Sequence, residues 1–149
     1  MAHSKLGVIL LVITTLIFFG TAIAHLSCLV LGPECYSAQL APPILVDSAR
    51  KGTLLAPIAN LAVSSVFIVW SLYTLSAAGV IRRLIFLKPI VYTISFLCIV
   101  RGLLPLQLWL IKPEKVSDLA LYYGWGWLVV GLLSLFGIIA LVKPSTDKE

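Results

Sequence analysis

The chain has 149 residues, of which 60% are hydrophobic and 11% charged, and its mean hydropathy is +1.08. Soluble domains carry about 45–50% apolar and about 25% charged residues, so a water-soluble globule is excluded and lipid is the solvent that accepts this surface. The net charge of +5 comes from cations at the ends of apolar blocks, a membrane pattern that calls for no nucleic-acid partner.

The apolar residues form four blocks, 6–31, 53–78, 85–111 and 119–142. Each exceeds the roughly 20 residues that cross a hydrocarbon core of about 30 Å. The expected fold is an all-α integral membrane protein. It is read as a four-helix transmembrane bundle, one domain over 1–149, with both termini cytoplasmic. Short loops should make sequential spans antiparallel neighbours.

Block one stops at Gly32-Pro33, a usual helix end. Its start can also be read as a signal peptide: basic Met1–Lys5, an apolar run, then Ala22-Ile23-Ala24 as a cleavage site. Against that, the apolar run resumes at Leu26 and makes a full span. His25 and Cys28 lie in the outer half of this block, three residues apart and on one helix face.

Outer loop one, 32–52, is the longest connection. Its stretch from Ile44 to Lys51 after Pro42-Pro43 reads as a short surface helix or an extended segment on the bilayer. Cys28 and Cys35 flank the Gly32-Pro33 turn, and on an oxidising face they suit a disulfide clamping loop to helix. Thiol-redox chemistry is the weaker reading, because the C-x-x-C spacing is missing. A copper or zinc site built from His25, Cys28 and Cys35 matches no zinc motif, so no metal is assigned. No residue pattern identifies a cofactor.

In block two, Asn60, Ser64 and Ser71 share a helical stripe. They would either line a polar cavity or make interhelical hydrogen bonds at a close-packed face. Loop two is short and carries Arg82 and Arg83.

Block three holds the strongest anomaly, Arg101, with apolar residues on both sides. A mid-membrane arginine costs about 2.5–3.5 kcal/mol on insertion scales. The functional reading is an anchor for a carboxylate, phosphate or carbonyl. The structural reading is a guanidinium bonded to backbone carbonyls or snorkelling outward. Cys98 shares its face, and Pro105, four residues on, should kink the helix there. Glu34 and Asp47 are the nearest counter-ions that the sequence offers.

Trp109 closes block three, and Tyr122, Tyr123, Trp125 and Trp127 open block four, an aromatic belt for the outer interface. Gly124, Gly131 and Gly137 are packing sites. Block four ends at Lys143-Pro144. Lys5, Arg82, Arg83, Lys88, Lys143 and Lys148 fall on one side, against Arg50, Lys51, Lys112 and Lys115 on the other. The richer side should be cytoplasmic.

The run Gly32-Pro33-Glu34-Cys35-Tyr36 and the run from Leu75 to Arg83 resemble small bacterial inner-membrane proteins. That resemblance implies a location and carries no residue role. No block holds a carboxylate, and no G-x-S-x-G or H-E-x-x-H motif is present, so an enzyme is unsupported. The first expectation is a protein that binds a small amphipathic or anionic ligand or lipid through Arg101, His25 and Asn60, or that supports a larger membrane complex. The second is a small homo-oligomeric transporter using the same cavity. The third is a thiol-redox or metal-handling protein using His25, Cys28 and Cys35.

Overall fold

The computed structural model describes residues 4–142. Met1–His3, the Lys143-Pro144 stop and the tail cation Lys148 lie outside the described residues. Of those described, 84% are helical and none is in a strand. In chain order the elements are α1 (Lys5–Leu31), α2 (Pro33–Ala38), α3 (Pro43–Arg50), α4 (Leu55–Ala77), α5 (Leu87–Ile111), a 3-10 turn (Pro113–Lys115) and α6 (Asp118–Val142). Four of these, α1, α4, α5 and α6, are long and apolar enough to cross a membrane. That is the build of an integral membrane protein.

Helix ends follow local chemistry. Gly32 stands between α1 and α2 with φ 78°, and Pro33 then opens α2 with Glu34 in its first turn. The α4 helix stops at Gly79, also at φ 78°. There Val80 N–H reaches the Leu75 carbonyl at 3.3 Å and Gly79 N–H reaches Ser76 at 3.1 Å, a Schellman ending. The α5 helix begins two residues later than its apolar block, at Leu87, because Phe86 before it is left-handed (φ 50°). Helix α4 likewise begins at Leu55, because Thr53 N–H closes the end of α3 on the Ser48 carbonyl at 3.0 Å. The stretch after Pro42-Pro43 is helical, as α3.

The chain divides into two compact units. The first takes 4–16 and 72–142; the second takes 17–71.

In the first unit, Leu11, Ala77, Ala78, Val91 and Ile138 form a buried cluster. In the same unit the buried hydroxyls of Thr15 and Thr74 meet at 2.8 Å, and Thr15 also donates to the Leu11 carbonyl at 2.9 Å. Helices α5 and α6 approach through small residues. A Cβ on Gly102 would meet Leu128 N at 2.5 Å and the Gly124 carbonyl at 2.8 Å. One on Gly131 would meet Ile99 N at 2.8 Å. The Ser95 and Ser134 hydroxyls close the same seam at 2.8 Å. Close backbone approach at small residues is how helices gain contact when lipid is as apolar as leucine.

In the second unit, Phe18, Phe67 and Trp70 make an edge-and-tilt aromatic cluster with centroids 5.4–6.2 Å apart. Cys28, Tyr36 and Ala56 form a second buried cluster with loop-one residues packed against it.

Candidate functional site

Asn60 lies five residues into α4, about 8 Å from its start at 1.5 Å per residue. It is buried, at 5% exposure. Its side-chain amide donates to the His25 carbonyl at 2.8 Å and to the Tyr36 hydroxyl at 3.2 Å. Its Oδ1 accepts from Ser64 at 3.2 Å. The amide thus spends both protons within the chain, tying α1, α2 and α4 together. The His25 ring takes no part in this network. It is half-buried and stacks on Phe67 at 5.6 Å and 8°.

Beside this network a disulfide joins Cys28 to Cys35, with Cα atoms 5.2 Å apart. Gln39 covers it, donating to the Ala24 carbonyl at 2.7 Å and to Cys28 Sγ at 2.9 Å. The bond occupies both thiols, so neither is a thiolate ligand while it stands. At the far end of loop one, Ser48 accepts the Ala56 N–H at 2.9 Å and meets the Thr53 hydroxyl at 2.7 Å. This gives α4 a side-chain cap from outside its own first turn. Loop one is therefore a built cap rather than a tether. An open groove of about 440 Å³ runs over it, lined by Leu40, Ala41, Pro43 and Val46, with Asp47 and Arg50 at the rim.

The carboxylates of this cap are already paired. Glu34 meets Arg50 at 3.8 Å and Asp47 meets Lys51 at 2.7 Å, all four side chains more than half exposed. Such surface pairs add at most about 1 kcal/mol each. They do pair both acids with neighbouring loop cations.

Arg101 belongs to the first unit. It is exposed, while Cys98, three residues before it, is 1% exposed, so the edge of the buried face of α5 passes between them. Arg101 sits on a stripe with Leu97, Leu104 and Leu108, each 44–54% exposed. Helix α5 continues through Pro105 to Ile111. Gly124 of α6 lies against that proline: a Cβ there would meet Pro105 Cγ at 3.2 Å. One turn beyond Arg101 opens a groove of about 480 Å³, lined by Leu104, Pro105, Leu108, Ile111, Lys115 and Ser117 among others. No ion pair among the described residues includes Arg101.

No protein-family model matches the chain, and neither does any curated protein or solved structure.

Tyr36, Gln39, Ser48 and the Thr15–Thr74 pair were not singled out by sequence reasoning. Tyr36 and Gln39 follow Cys35 by one and four residues. In a short helix that spacing puts Gln39 beside the sulfur and Tyr36 on the neighbouring face, a signal that needed the loop to be helical first.

Proposed function

We propose that the chain is a non-catalytic membrane protein that binds a small anionic amphipath, with Arg101 as the anion anchor. The membrane is the bacterial inner membrane, with both termini and loop two cytoplasmic. The observation that carries the reading is Arg101 itself: a guanidinium on an exposed apolar stripe of α5, ten residues or about 15 Å from the helix end. A guanidinium at that depth is unfavourable until an anion joins it. Its planar fork suits a carboxylate or phosphate held by two hydrogen bonds. The groove beginning at Leu104 and Pro105 offers the ligand's apolar tail a continuous surface, and Lys115 stands at its rim. Asn60 is spent on the fold, so His25 and Asn60 support the loop-one cap instead of the ligand.

The test is quenching of Trp109 and Trp125, both exposed, by 9,10-dibromostearate with the protein in nanodiscs. Quenching by a dibrominated phosphatidylcholine sets the background. The wild type should show saturable extra quenching, and Arg101→Gln should weaken it at least tenfold with the helical spectrum unchanged. Equal titrations for the two proteins, or no extra quenching in the wild type, would remove the anchor.

A further inference from the structure

Four cations gather at one end of the first unit. Lys5 opens α1, Arg82 and Arg83 stand in loop two, and Lys88 lies in the first turn of α5; all four are exposed. Their chain segments meet through one core, in which Val8 and Leu87 pack on Leu11, Ala78 and Val91. The acids among the described residues are Glu34, Asp47, Glu114 and Asp118. The first two lie in the other unit, and the last two lie at the opposite ends of α5 and α6. Within the described part of the first unit, this end therefore carries one sign of charge.

The arginines are held, not dangling. Ser76 is 4% exposed, and its hydroxyl donates to the Arg82 carbonyl at 3.0 Å while accepting the Leu84 N–H at 3.0 Å. That clasp spans Arg83 and fixes the backbone carrying both guanidiniums. Around them Val80, Ile85 and Phe86 are 60–76% exposed. The nine-residue connection 78–86 between α4 and α5 thus presents cations and large apolar side chains together.

We infer that this end of the molecule is a docking surface for the phosphodiester headgroups of anionic phospholipids in its own leaflet. Charge complementarity selects the anion, because a basic juxtamembrane patch attracts acidic headgroups. The apolar neighbours select a lipid over free phosphate: Val80, Ile85 and Phe86 can enter the acyl boundary while Arg82 and Arg83 take the phosphate oxygens. The Ser76 clasp holds the loop backbone on either side of Arg83, at the Arg82 carbonyl and the Leu84 N–H. This surface is separate from Arg101, and its test leaves Arg101 intact.

The experiment is native mass spectrometry of the full chain released from nanodiscs of equal phosphatidylglycerol and phosphatidylcholine. The wild type should retain phosphatidylglycerol preferentially, and the preference should fall as ionic strength is raised before release. Arg82→Gln with Arg83→Gln should lower it about fivefold per arginine. Ser76→Ala, which alters no charge, should lower it less. Inorganic phosphate in millimolar excess should leave it unchanged. Equal retention of the two lipids by the wild type would overturn the inference, as would a double variant with wild-type preference. So would displacement by phosphate alone. If the double variant does not fold, the salt series on the wild type decides.

Discussion

The amide of Asn60 donates to the main-chain carbonyl of His25 at 2.8 Å, while the His25 ring lies flat on Phe67. One residue therefore serves two neighbours on α4 with different parts of itself. The carbonyl fixes the axial register of α1 against α4, and the ring fixes how the helix is turned.

Replacing Asn60 by Leu should destabilise the protein by about 1–2 kcal/mol. Hydrogen bonds between membrane helices average about 0.6 kcal/mol, up to about 1.7. Asn60 makes two such donations and accepts a third from Ser64. The variant also leaves the Tyr36 hydroxyl without this buried partner. Thermal unfolding in one detergent checks the size, and a stability within about 0.3 kcal/mol of wild type would refute the tie.

The Cys28–Cys35 disulfide closes a seven-residue separation. In the chain-entropy account a loop this short contributes about 2 kcal/mol. Cys28→Ser with Cys35→Ser should lower the melting temperature by an amount matched by reducing the wild type. Alkylation without reductant, followed by intact-mass measurement, should leave both cysteines unlabelled. Cys98, 1% exposed, should react only after unfolding. Labelling of all three cysteines in the folded protein would refute the bond.

The four long helices were legible because each apolar block is longer than a bilayer needs, and length and composition decide that alone. Their ends were less so. Thr53 looked like the start of a span, but it is claimed by Ser48, and Phe86 looked helical until its left-handed backbone stopped α5. Asn60 was legible as a residue needing partners. Which partners could not be read, since a carbonyl 35 positions away leaves no mark in composition. Arg101 and Cys98 share a face by spacing, yet one is exposed and the other buried, because the edge of a packed face falls between residues only about 60° apart around the helix.

The Thr15–Thr74 hydroxyl contact should be worth less than Asn60. Threonine to valine conserves volume and removes the hydroxyl, and Thr15 keeps a fallback on the Leu11 carbonyl. A double-mutant cycle of Thr15→Val and Thr74→Val should give a coupling of about 0.6 kcal/mol. A coupling near zero would mean that the two hydroxyls do not meet in the membrane.

The sharpest contrast lies between two glycines. At Gly102 a methyl group would meet backbone atoms, Leu128 N at 2.5 Å and the Gly124 carbonyl at 2.8 Å. Backbone cannot rotate away as a side chain can, so Gly102→Ala must push α6 off α5 and open the Ser95–Ser134 contact 2.8 Å long. Overpacking of this kind costs about 1–3 kcal/mol. At Gly126 a Cβ meets nothing within 4 Å. There alanine only gains, since glycine in a helix interior is about 0.5–1 kcal/mol worse than alanine. Gly102→Ala should therefore lower the unfolding midpoint and Gly126→Ala should leave it level or raise it. Both helices are tested by the same substitution, so propensity cancels and only the closeness of α5 to α6 remains. Two variants of equal stability would mean that the two helices are not packed this tightly.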